Sequence, residues 1–123
     1  MATITVVVGE APYGKERFYS TLRFILAALQ EGHGVNLFIF EDAVFAAKRG
    51  QRPPEFPGLL DEHMPNCEEL LKSAVKQGAV VKACGVCARE RSVSPDEIIE
   101  GVEIGSMTDL VNWVMESDKT VFF

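Results

Sequence analysis

The sequence predicts an α/β domain built on a parallel sheet with helices on both sides. Three observations point there. Short β-branched, apolar runs recur at Thr3 to Val8, Val35 to Phe40 and Ala79 to Ala83, and they are apolar beyond simple alternation, as strands covered on both faces are. Between them lie segments with apolar residues at helical spacing, bounded by glycines and capping residues. The connections are long enough for the crossovers that parallel strands require. A chain of 123 residues makes one domain, able to bury a core without disulfides or metal.

Taken in order, Thr3 to Val8 is the first strand and Gly9 to Gly14 (Gly-Glu-Ala-Pro-Tyr-Gly) a turn-rich loop. From Lys15 to Gln30, Phe18, Leu22, Ile25 and Leu29 share one helical face, and Gly32 and Gly34 stop the pattern. Val35 to Phe40 is a second strand, after which Asp42 is expected to cap a short helix through Lys48 that Gly50 terminates. Gln51 to Pro65 holds four prolines and reads as a long surface loop. Asn66 then caps a helix with Glu69 as its box partner, and Cys67, Leu70, Leu71, Ala74 and Val75 form the apolar face.

The third strand ends at Cys84, and a helix follows through Arg91. Ser94-Pro95-Asp96-Glu97 combines an N-cap, a first-turn proline and a box glutamate. Gly101 to Gly105 is a short strand. Ser106 to Asp109 starts the last helix, with Met107, Leu110, Val111 and Val114 on one face, and Lys119 to Phe123 closes the chain as a strand.

Composition narrows the function. A net charge of −6 without a Lys/Arg cluster argues against nucleic acid as a partner. No stretch approaches the roughly 18 apolar residues of a membrane helix, and Met1 to Val8 has no basic region or cleavage site of a secretory signal. The expected compartment is therefore the reducing cytoplasm, with no membrane partner. There, three cysteines including a CxxC suggest reactive thiols or metal binding rather than a disulfide scaffold.

The chemistry centres on Cys84-Gly85-Val86-Cys87. A strand that ends on a cysteine and turns at once into a helix places the sulfur among unpaired N–H groups, where a thiolate is favoured. Arg89 and Arg91 would add to this by folding back over it. A metal site is poorly supported, since Cys67, His33 and His63 are the only further candidates and none has finger spacing. No metal or cofactor is expected. Three readings stay open: dithiol cycling, a persulfide carried on Cys84 with Cys87 as a second thiol, or two small residues packing a strand-to-helix junction.

The other candidates are secondary. Cys67 falls on an apolar stripe, and His33 and His63 fall in a turn and in the proline-rich loop. Glu41-Asp42 follows a strand end, yet Gly9 to Gly14 lacks the GxGxxG spacing of a dinucleotide site and the GK[ST] end of a P-loop. That loop, with Gly9, Pro12, Tyr13 and Gly14, is a candidate wall of the site or an ordinary turn.

The order of these motifs resembles the DsrE/DsrF-like family, the sulfur-relay proteins with TusD-type and YchN-type chains. Nearly the whole length takes part: the first strand, Pro12-Tyr13-Gly14 before a helix, Phe38 to Asp42, Asn66, Gly105-Ser106-Met107 before Asp109-Leu110, and Val121-Phe122. Most specific is Cys84-Gly85-Val86-Cys87-Ala88-Arg89-Glu90-Arg91, similar to the family's C-G-x-C-x-x-x-R-G, with Ser92 where glycine is common. The resemblance implies a three-layer domain with a mostly parallel five-stranded sheet and flavodoxin-like layering. It also implies assembly into trimers or hexamers and sulfur acceptance on Cys84, with donor and acceptor proteins as partners. Gly9, Pro12, Tyr13, Gly14, Gly85 and Arg91 would then line the substrate's approach.

Overall fold

The computed structural model describes residues 1–53 and 65–123. At its centre lie five strands, β1 Thr3–Val8, β2 Gly34–Ile39, β3 Val80–Cys84, β4 Val102–Gly105 and β5 Lys119–Phe122. All four pairings are parallel and the order is β4-β3-β2-β1-β5. The helices among the described residues are α1 Arg17–Gln30, α2 Cys67–Lys76, α3 Gly85–Glu90 and α4 Met107–Glu116, with 3-10 segments at Glu41–Ala47 and Pro95–Glu97. The five-stranded, three-layer α/β fold expected from the sequence is the one observed. Most of the proline-rich loop, including His63, lies outside the described residues.

Strand alternation divides the core in two. Val6, Val8, Leu37, Ile39, Val81 and Ala83 point to one face, where α1, α2, α3 and the first 3-10 segment cover them. Val7, Phe38 and Cys84 point to the other, beneath Leu110 and Trp113 of α4. Each large apolar side chain fully buried contributes about 1.5–3 kcal/mol. The first face holds many such residues and the second few, so the first carries the fold.

The second layer is thin. Leu110 is buried as expected, but Met107, Val111 and Val114, placed with it on one face by sequence, are exposed, as is Met115 at 79%. Lys82 explains part of this: it rises from the sheet to lie 5.1 Å from the Trp113 ring centroid and 3.5 Å from Asp109 Oδ1. A cation therefore fills space that the apolar pattern of α4 alone would assign to hydrocarbon.

Helix ends follow their caps. Asn66 Oδ1 accepts from the Glu69 N–H at 3.2 Å, while the Glu69 carboxylate lies toward Lys72 at 3.8 Å rather than closing the expected box. Ser106 and Asp109 do form a reciprocal box. At Ser94-Glu97 the carboxylate accepts from the Ser94 N–H at 3.0 Å and its hydroxyl at 2.8 Å, and these bonds with Lys48 hold Glu97 down at about 2.

α1, α2 and α3 share one exit. In each, two N–H groups past the end turn back to carbonyls of the last turn through a left-handed residue. That residue is Gly32 after α1 and Gly78 after α2, but Ser92, at φ 59°, after α3. The glycine missing from the motif thus marks a backbone conformation that serine adopts at a cost.

Candidate active site: a cysteine pair at the carboxyl edge of the sheet

Chain direction creates the site. From the end of β3 the chain enters α3 on the first face, whereas from the end of the neighbouring β4 it enters α4 on the second. Adjacent strands whose connections leave in opposite directions open a crevice at their carboxyl ends, where open α/β sheets bind ligands. Cys84 and Gly105 are register partners at that point.

Cys84 is the N-cap residue of α3, and its sulfur accepts the Cys87 N–H at 3.5 Å. It is 4% exposed, packed with Val7, Phe38 and Leu110, while Phe40, Cys87 and Trp113 close around them. Cys87 is the more open of the pair. Its thiol is pushed above the usual range by burial first, then by its hydrogen bond to and the charge of the Cys84 sulfur, against the lowering effects of the Glu41 N–H and Arg91. The two thiols are therefore in contact, and burial disfavours the Cys87 thiolate.

Arg91 closes the first-face side. Its Nε donates to Asp42 Oδ1 at 2.9 Å and its Nη1 to the Cys87 carbonyl at 3.2 Å. Asp42 is accordingly an anchor for α3 and not the helix cap expected from sequence; Phe40 occupies the cap position, with no side-chain bond. Nor do the arginines fold over Cys84. Arg91 acts on Cys87, and Arg89 is exposed beside a cleft of about 330 Å³ with Gly85, Ala88, Val93 and Ile104.

Glu41 was the residue hardest to foresee. It takes φ 51°, in the left-handed region that non-glycine residues avoid, and this turns its N–H toward Cys87. Its carboxylate lies over Gly9, where a Cβ would come within 2.7 Å of Glu41 Oε1 and 3.0 Å of Phe40 Cε1. A Cβ at Gly9 would therefore push the Glu41 carboxylate and the Phe40 ring aside. Gly85 is confined similarly, since a Cβ there would sit 3.0 Å from Ile104 Cγ2. The acidic pair after the strand was the available signal, without its geometry.

The loop after β1 is split between two tasks. Gly9 borders the cysteine site through Glu41, but Pro12 and Tyr13 belong to the start of α2. The Tyr13 hydroxyl donates to Gln51 Oε1 at 2.7 Å and accepts the Cys67 N–H at 3.1 Å. The Cys67 thiol donates to the Pro12 carbonyl at 3.6 Å. Burial pushes that thiol up to about 11, as fits a packing residue. Gly14 is exposed at φ 86°. His33 lies at the opposite sheet edge, its Nδ1 accepting the Ala2 N–H at 3.0 Å. Among the described residues no cluster of three or more His, Cys, Asp or Glu side chains is placed to hold a metal, and no helix is long and apolar enough to cross a membrane.

Fold and site together define an α/β protein with a cysteine pair at the switch point of a parallel sheet. Residues 2–123 match the DsrE/DsrF-like family, and the chain belongs to that family. It is 53% identical over 120 residues to an uncharacterized protein of Methanopyrus kandleri, covering 98% of this chain and 93% of that one. It is 34% identical to protein YchN of Escherichia coli K12 over the full length of both. The crystal structure of the E. coli ychN protein superposes with a TM-score of 0.87 at 35% identity, again over all of both chains.

Proposed function

We propose that this protein is a sulfur-relay carrier that accepts sulfane sulfur on Cys84 as a persulfide and passes it to the thiol of a partner protein. The observation that carries this reading is the position of Cys84: at the crevice between β3 and β4, buried among apolar side chains, in contact with a second thiol. Family membership supports the same class of chemistry. In the loading step the Cys84 thiolate attacks the outer sulfur of a donor persulfide; a bond forms from Cys84 Sγ to that sulfur and the donor leaves as a thiolate. An acceptor thiolate then repeats the attack on Cys84's outer sulfur. Neither step has a net oxidant or reductant, so it suits a reducing, cytoplasmic setting.

Local roles follow from the contacts. Gly9 and Gly85 keep side-chain atoms out of crowded approaches, and Arg91 fixes the turn that carries Cys87. Pro12, Tyr13 and Gly14 serve the fold at α2 in this reading. The exposed apolar side chains of α4, with Phe122 of β5 at 65% exposure, are the proposed contact between copies of this chain in a trimer or hexamer. Single domains seldom leave large apolar patches open.

Incubation with inorganic polysulfide, followed by intact mass and peptide mapping, tests the reading. One sulfur atom on the Cys84 peptide is expected. No adduct, or an adduct on Cys67, contradicts it.

A further inference from the structure

We propose that Cys87 is a discharge thiol: with no acceptor present, it attacks the Cys84 persulfide, releases the stored sulfur as hydrogensulfide and leaves a Cys84–Cys87 disulfide. This inference rests on the carrier reading above and gives the same site a second, self-limiting activity.

Geometry selects the sulfur that is attacked. Cys87 sits in the first turn of α3, and its own N–H is held on Cys84 Sγ at 3.5 Å. The CxxC spacing across a helix start brings the two side chains within reach of a single S–S bond. Cys87 therefore faces the inner sulfur of a persulfide, the one bonded to carbon, rather than the outer one. Cys67, the third thiol, is buried against the Pro12 carbonyl in the other core cluster, so it offers no competing partner.

The step balances within the chain. Cys87 passes its proton to the outer sulfur of the anionic persulfide, Cys87 Sγ forms a bond to Cys84 Sγ, the bond between Cys84 Sγ and the outer sulfur breaks, and that sulfur departs with the electron pair as HS⁻. Two thiols are oxidised to a disulfide while one sulfane sulfur is reduced to sulfide. A small-molecule thiol, such as reduced glutathione, restores the dithiol for a further round.

The same surroundings make discharge slow. Cys87 is faced by the Cys84 sulfur from β3, by Glu41 and Asp42 from the 3-10 segment, and by Glu90 and Arg91 at the end of α3. Burial and the neighbouring sulfur outweigh the Arg91 charge and raise the pKa of the Cys87 thiol. A thiol that is hard to ionise is a slow nucleophile, so carriage outlasts discharge while an acceptor is at hand.

The test loads wild type and Cys87→Ser with inorganic polysulfide, removes excess donor, and follows intact mass, sulfide and peptide maps from pH 7 to 9 without added thiol. Wild type is expected to lose the extra sulfur, release one equivalent of sulfide and gain a Cys84–Cys87 disulfide. Cys87→Ser keeps its adduct. Equal loss from both proteins, sulfide without the disulfide, a stable wild-type adduct, or migration of the sulfur to Cys87 overturns the inference while leaving carriage intact. Failure of both proteins to load overturns the carrier reading and this inference together.

Discussion

Arg91 and Asp42, 49 positions apart, are joined by a 2.9 Å ion pair that ties the exit of α3 to the segment following β2. The same guanidinium donates to the Cys87 carbonyl, so one side chain links two backbone segments around the cysteine pair. Its positive charge is among the groups that lower the Cys87 pKa.

Replacing that arginine gives the first prediction. In a Cys84→Ser background, Arg91→Ala should slow alkylation of Cys87 severalfold at pH 8, because loss of the cation raises the thiol pKa further and leaves less thiolate. Arg91→Lys should fall between. An unchanged pH profile of alkylation would mean that the guanidinium does not act on this sulfur.

Ser92 supplies a stability prediction. At φ 59° it occupies the left-handed exit that glycine fills after α1 and α2, and a non-glycine residue there costs about 1 kcal/mol. Ser92→Gly should raise stability by about that amount in urea unfolding, and Ser92→Val should lower it. A destabilised glycine variant would show that the serine side chain contributes something its contacts do not reveal.

Glu68 is one of the carboxylates that contribute to the acid side, with Glu97 and Asp109. Its carboxylate is buried and accepts the Gly50 and Gln51 N–H groups at 2.7 and 2.8 Å, with Lys72 at 3.1 Å. Burial would raise its pKa, but those donors together bring it below the usual value. Because the folded pKa is depressed, its stabilisation is complete above the unfolded value near 4.5 and is lost as pH falls through the lower folded value. Glu68→Gln should cost about 1–3 kcal/mol at pH 7 and flatten the acid limb of the stability curve. Equal acid sensitivity in wild type and variant would assign that limb elsewhere.

The open face of α4 predicts assembly. Light scattering at micromolar concentration should return a multiple of 13.6 kDa, and Val111→Asp with Met115→Lys should lower it without loss of helical signal. A wild-type mass near 13.6 kDa would leave Met107, Val111 and Met115 as plain surface residues.

Strand and helix positions were legible because each depends on local pattern: β-branched runs, caps such as Asn66 and Ser106, and glycines after helices. Cys84 was legible for the same reason, as the junction of a strand and a helix. Asp42 was misread because its partner lies in a distant motif, and proximity in sequence offered only capping as its role. The exposure of Met107, Val111 and Val114 was hidden too, since a helical apolar stripe does not say whether its cover comes from the same chain. Glu41 needed backbone geometry that spacing does not encode.

The two cysteines are expected to differ sharply in sulfur uptake. Cys84→Ser and Cys87→Ser should be incubated side by side with inorganic polysulfide at neutral pH, and sulfur uptake read by intact mass. Cys84→Ser is expected to take up no labile sulfur, while Cys87→Ser retains one atom, mapped to Cys84. Equal loss in both variants would contradict the assignment of carriage to Cys84 alone, and no uptake by wild type across several donors would leave two cysteines that only pack.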